Sequence, residues 1–228
     1  MTKAFTQEER AMRDRLYRDV NYFTATWVNE VIDATIWTST DPVTNPNATV
    51  TTAGEGYTKF RMWLVANETG RLVSAARWKC TPNLFNTNTT ARRTIVEFEM
   101  NLTDQTNLDN TATFWGLSEG VADTAASNDI IGFMLAADVL QTITDNGGSQ
   151  EVNTTFSETL SNWNKFRIDI QQDVVIFYLN DTLIATHEDV ADLPDEMMYL
   201  NFYCDTEGGA GPTHMDLGWI RVWHEDVR

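Results

Sequence analysis

Glu97 and Glu99 form a carboxylate pair whose residue type and spacing suit acid–base chemistry. Successive side chains of a strand point to opposite faces, so these two share one face while Val96, Phe98 and Met100 share the other. Cleavage of a glycosidic bond needs two carboxyl groups, one as nucleophile or base and one to protonate the leaving oxygen, and their separation sets the stereochemistry. The residues that follow in Glu97-Phe-Glu99-Met-Asn101-Leu102 are Asn101 and Leu102, neither of which transfers a proton. The structural alternative is the solvated face of a half-buried strand, because alternation of polar and apolar positions produces such a face by default. On this reading the chain is expected not to be an enzyme.

Aromatic side chains offer a second chemistry, stacking flat on sugar rings. The pool is Trp37, Trp63, Trp78, Trp115, Trp163, Trp219 and Trp223, and most are expected in the core because Trp is usually highly buried. Trp115, beside Gly116, and Trp163, at the start of its strand, are the least committed to it. Trp115, Trp163, Glu97 and Glu99 are therefore the candidate carbohydrate-binding residues. Metal and cofactor sites are not expected. His187, His214 and His224 lack short ligand spacing, and Cys80 and Cys204 form no Cys-x-x-Cys pair. Gly116-Leu-Ser118-Glu-Gly120 matches the letters of a nucleophile elbow, but no helix is expected after it, as that motif requires.

Composition bounds the rest. A chain of 228 residues with 42% hydrophobic residues, 8 Trp and 11 Phe suits one large all-β domain. A net charge of −17 repels phosphate backbones, so nucleic acid is excluded as a broad electrostatic partner. No run of about 18 apolar residues occurs, which excludes a membrane-spanning helix, and no apolar leader segment is read at the start. Cys80 and Cys204 are expected as two buried free thiols, pairing only if the fold brings them together.

The elements that position these residues read as strands. Phe166, Ile168 and Ile170 alternate along one strand, Val175-Ile-Phe-Tyr-Leu179-Asn180-Asp181 ends a second at a tight turn, and further strands cover Met197 to Cys204 and Leu217 to Trp223. Upstream, strands are expected over Val31 to Trp37, Tyr57 to Val65 and Leu72 to Trp78, with a reversal at Asp145-Asn-Gly-Gly148. Residues 1–28 differ in charge density. Thr6 and Glu9 match a capping box, and Met12, Leu16 and Val20 give a thin apolar stripe on a helix from about Gln7 to Val20. The expected organisation is a helical arm over 1–28 and an antiparallel β-sandwich over 29–228.

The order Trp163, amphipathic strand, Val175-Ile-Phe-Tyr-Leu-Asn-Asp-Thr-Leu-Ile-Ala185, Leu193-Pro194, strand, loop, Trp219-Ile-Arg-Val-Trp223 resembles the C-terminal half of the concanavalin A-like lectin and glucanase superfamily. Arg93 to Met100, Phe114 to Ser118 and Ile130 to Phe133 resemble its central strands. The resemblance implies an all-β jelly-roll sandwich with a short N-terminal helix. Its glucanases carry three carboxylates as Glu-x-Asp-x-Glu or Glu-x-Asp-x-x-Glu, of which this chain lacks the last. They also carry a calcium-ligating Asp where this chain has Gly218, with Asp216 as the nearest replacement. Structural proteins of tailed viruses carry the same sandwich. The resemblance thus implies a non-enzymatic virion module, a capsid decoration or a fibre or tail protein, made in the host cytoplasm. It would contact other virion proteins through Met12, Leu16 and Val20, form a homo-oligomer and bind surface glycans. The alternative is a lectin-like carbohydrate-binding protein, or a divergent glycoside hydrolase.

Overall fold

The computed structural model describes residues 22–26, 36–40, 48–51, 59–79, 92–104, 106, 113–120, 129–136, 138–147, 150–156, 159–171, 173–189, 193–194, 197–206 and 213–226. Within them lie β1 (Tyr22–Thr26), β2 (Trp37–Thr40), β3 (Ala48–Thr51), β4 (Lys59–Leu64), β5 (Thr69–Lys79), β6 (Arg92–Leu102), β7 (Phe114–Ser118) and β8 (Asp129–Ala136). They continue as β9 (Val139–Asn146), β10 (Gln150–Phe156), β11 (Asn164–Ile170), β12 (Val175–Leu179), β13 (Thr182–His187), β14 (Met197–Asp205) and β15 (Thr213–Asp226). The helix expected around Met12, Leu16 and Val20, and the residue Cys80, lie outside the described residues.

The strands form two antiparallel sheets packed face to face, the jelly-roll sandwich expected from the sequence. The first sheet has eight strands in the order β13-β12-β11-β6-β15-β4-β3, with β1 also paired to β15, and the second has seven in the order β10-β9-β8-β7-β14-β5-β2. β15 is long enough to take two partners on one side, β4 along Thr213 to Leu217 and β1 along Trp219 to Trp223. Five residues of the segment read as an arm, Tyr22–Thr26, therefore extend the first sheet.

Turn chemistry closes the hairpins. Asn180 and Asp181 have φ of 50° and 63°, the left-handed geometry that a two-residue turn between right-twisted strands demands and that these residue types tolerate. Gly147, at φ 80°, does the same after β9, where its N–H donates to Asp145 Oδ1 at 2.7 Å. Gly116 and Gly132 face each other across β7 and β8. A Cβ on Gly132 would meet the Phe114 ring at 2.7 Å, so the close approach requires glycine. Ser118, in the same strand, donates to the Gly120 carbonyl at 2.6 Å and accepts from Asn201 Nδ2 at 3.0 Å. Its hydroxyl is thus structurally occupied, in a strand rather than an elbow.

The core lies between the sheets and is dominated by aromatic rings. Phe98 of β6 stacks on Phe166 of β11 at 5.2 Å and meets Phe202 of β14 and Phe133 of β8 edge-on at 5.1 and 6.2 Å. Trp115 joins them edge-on to Phe166 at 5.9 Å. Such offset and edge-to-face contacts add to the large apolar area that each ring removes from water. Cys204 is a buried free thiol near Met215 Sδ, and burial followed by the Asp205 charge pushes its titration upward.

Replacing Phe98 with alanine removes a ring that bridges both sheets. The expected loss is about 3–5 kcal/mol of unfolding free energy, read as a lower urea midpoint. Leu183→Ala, at a side chain 56% exposed, should stay within about 0.5 kcal/mol of the parent.

Candidate functional site

Burial of Val96, Phe98 and Met100 against the second sheet fixes the parity of β6 and turns Glu97, Glu99 and Asn101 outward. Antiparallel register carries the same parity to its neighbours. Glu97 lies opposite Arg167 on β11 and Arg221 on β15, and Glu99 opposite Lys165 and Trp219. The outer face of the first sheet thus gathers carboxylates, cations and Trp rings on adjacent strands. Glu97 and Glu99 are half-buried there.

One residue breaks the alternation. Leu217 pairs with Met100 and Trp219 with Glu99, so Gly218 is an extra residue between them, a β-bulge. A Cβ on Gly218 would lie 2.7 Å from Glu99 Oε2 and 3.4 Å from the Trp163 ring. The sequence reads Gly218 as a missing calcium ligand, whereas the structure gives its empty side-chain space to Glu99 and Trp163. Asp216, the nearest replacement ligand, is engaged elsewhere.

Asp216 is 1% exposed and accepts both Nε and Nη2 of Arg61 at 2.7 Å, with Lys59 Nζ at 2.8 Å. Burial alone would raise its carboxyl. Hydrogen bonds from Arg61 and Lys59, with the charges of His214 and Arg61, outweigh that and hold it below the usual carboxylate range. Lys59 also sits 5.4 Å from the centre of the Trp163 ring, and His214 stacks on Trp63 at 5.7 Å. These contacts fix the floor of one end of the face.

Trp163 is placed from the other side. Asn164 Nδ2 donates to the carbonyls of Thr159 and Asn162, Asn180 Nδ2 donates to Asn164 Oδ1 at 2.8 Å, and Leu102 N–H donates to Leu160 O at 2.8 Å. The turn before β11 is thereby tied to β6 and to the β12–β13 turn, which sets the indole beside Glu99. Toward the middle of the face, the Arg221 guanidinium lies 4.5 Å over Trp219 and that of Arg167 lies 5.2 Å over Tyr178.

Of the four candidate binding residues, the structure brings Glu97, Glu99 and Trp163 together and separates Trp115 from them. Trp115 is fully buried against Phe166 between the sheets, a correction that follows from the parity of β7, which turns this side chain inward. Trp37 and Trp78 are core residues as well, while Trp63, Trp163, Trp219 and Trp223 retain exposure. Sequence reasoning missed Lys59, Arg167 and Arg221, and read Asp216 only as a replacement calcium ligand. Alternation in Trp219-x-Arg221-x-Trp223 was a legible signal for Arg221. Nothing local links Arg61 to Asp216, which are 155 residues apart.

No family model and no curated protein matches this chain. Solved structures do match. A botulinum neurotoxin type C structure, described as depending on two ganglioside molecules for cell entry, matches with TM-score 0.58 and 10% identity over 95% of this chain and 50% of its own. The catalytic domain of an endo-1,3-β-glucanase (laminarinase) from Thermotoga petrophila gives 0.59 and 13% over 90% and 97%. A Bacteroides ovatus mixed-linkage-glucan glycoside hydrolase with bound product gives 0.58 and 15% over 88% and 99%. The chain spans about half of the neurotoxin and nearly all of the hydrolases. At these identities the likeness establishes a shared fold. It also overturns the expectation of a non-enzyme, which rested on the absent third carboxylate, because several end-to-end matches are named glycoside hydrolases. None of the three described is a virion protein, so they lend the virion reading no support.

The Asp216 carboxyl is held below its unfolded value of about 3.9. Its ion pairs therefore contribute stability above that value and lose it as pH falls through the lower folded value. Asp216→Asn, which leaves Lys59 buried and Arg61 part-buried beside a neutral amide, should cost about 3–5 kcal/mol near neutral pH. It should also flatten the fall of the urea midpoint below about pH 4.

Proposed function

We propose that this chain is a carbohydrate-active protein of the glycoside-hydrolase kind, which binds a glycan along the outer face of its first sheet and acts on the glycosidic bond with Glu97 and Glu99. The observation that carries this reading is their shared outward face, with Trp163 and Trp219 beside Glu99. A pyranose ring presents an apolar face that suits an indole and a hydroxyl rim that suits carboxylates and guanidinium groups. The ganglioside-dependent neurotoxin and the glucan-active hydrolases that share the fold support the same reading.

The two carboxylates divide the work. Glu97 makes no hydrogen bond or ion pair among the described residues and is half-buried on the outer face. Glu99 is held over Gly218 beside Trp163. Residues two apart in a strand are separated by about 7 Å, from which flexible glutamates span the separations of two-carboxylate hydrolysis. With Asn101 in the next outward position, Glu97 and Glu99 must supply both the nucleophile or base and the acid.

The test is release of reducing ends from a panel of oligosaccharides, with binding measured by calorimetry. Glu97→Gln and Glu99→Gln should each lower kcat by at least about 100-fold, the lower range of general acid–base contributions. Trp163→Ala should weaken binding. Gly218→Ala should behave like Glu99→Gln with little change in melting, because the group it displaces is the end of a flexible side chain. Absence of binding to every oligosaccharide at millimolar concentration, or turnover unchanged in both glutamine variants, would remove the reading.

A further inference from the structure

The outer face of the first sheet holds a share of cations out of keeping with the whole molecule. The chain has 33 acidic residues against 16 Lys and Arg, yet Lys59, Arg61, Arg93, Lys165, Arg167 and Arg221 all fall at outward positions of adjacent strands. Four of them make close ion pairs with carboxylates. Asp216 takes Lys59 and Arg61, Asp169 takes Arg93 in a two-point contact, and Asp181 takes Lys165.

Arg167 and Arg221 stand apart from that pattern. Arg221 is exposed and has no carboxylate partner among the described residues; its guanidinium lies over Trp219. Arg167 lies over Tyr178, reaches Asp169 only at 3.4 Å, and its Nε has no hydrogen-bond partner. Both flank Glu97 in register, one from each side, and neither is paired with it. In a protein with twice as many acids as bases, two arginines on one face thus keep most of their donors uncommitted. Their backbones are two strand spacings apart, about 9.5 Å, with the guanidinium carbon of Arg221 4.5 Å and that of Arg167 5.2 Å from the centre of its own ring. The planar fork of N–H donors of an arginine matches the geometry of a carboxylate or a sulfate.

We propose that the glycan bound on this face is anionic, carrying carboxylate or sulfate groups, and that Arg167 and Arg221 hold those groups on either side of the sugar at Glu97. This rests on the glycan-binding reading above and adds the charge of the ligand. The surrounding −17 surface repels polyanions at long range, so recognition depends on these two local contacts.

The experiment uses the full chain and one panel of gluco-, galacto- and manno-tetrasaccharides, each in three forms: neutral, oxidised at C6 to the carboxylate, and sulfated. Affinity is measured at low and high salt. At least one anionic form should bind about tenfold or more tighter than its neutral parent at low salt, and the advantage should shrink as salt screens the contact. Arg221→Ala and Arg167→Ala should each bring the ratio of anionic to neutral affinity toward one, and Arg221→Lys should restore it only in part, since lysine lacks the fork. The carboxylated and sulfated arms identify which group is recognised. Neutral forms binding as tightly as anionic ones, or arginine variants that weaken both forms equally, would overturn the proposal while leaving glycan binding in place. No binding by any form would remove both. Melting curves of the variants keep a folding defect from passing as lost recognition.

Discussion

The stacking of Phe98 and Phe166, wedged against Phe133 and Phe202 of the opposite sheet, is the contact on which the rest of this structure depends. It is apolar and non-directional in origin, yet its consequence is directional. Once Phe98 points inward, the period of two along β6 obliges Glu97 and Glu99 to point outward. Register then obliges Arg167, Lys165, Trp219 and Arg221 to join them. A shift of one residue would exchange the two sets and bury the charges, so the hydrophobic core selects the polar face as strictly as it selects itself.

The bulge at Gly218 works within that constraint. β15 has to bury Leu217, Ile220 and Val222, a spacing that simple alternation cannot supply. One extra residue restores it, and it also turns Trp219 to the side of Glu99. Glycine at the bulge leaves space that the Glu99 carboxylate occupies. Beneath the same end of the face, Asp216 gathers Lys59 and Arg61 from β4. A lysine and an aspartate this deeply buried persist only as partners, because either alone would bear the full cost of leaving water.

Charge separates the face into two kinds of basic residue. Those held by Asp216, Asp169 and Asp181 stiffen the sheet and fix neighbouring side chains. Arg167 and Arg221, which lie on aromatic rings without a close carboxylate, keep donors available while losing little freedom on contact, since the ring already restrains the guanidinium. The face is thus built as a framework of closely paired charges around two arginines that rest on rings and keep hydrogen-bond donors to spare.

The fold was legible in the sequence because alternation is a local property. Phe166, Ile168 and Ile170 reveal one buried face without reference to any other strand, and Asn180-Asp181 and Asn146-Gly147 announce their turns through residue type alone. The pairing of Glu97 with Glu99 was legible for the same reason. Which Trp would accompany them was not. Trp115 and Trp163 look alike in sequence, and only sheet parity and the Asn164–Asn180 contact place the first in the core and the second at the site. The Arg61–Asp216 ion pair, the role of Gly218 as room for Glu99, and the flanking of Glu97 by Arg167 and Arg221 all join residues far apart in the chain. Such contacts depend on the register between strands, which is decided when the two sheets close on their common core, and no single segment carries that information.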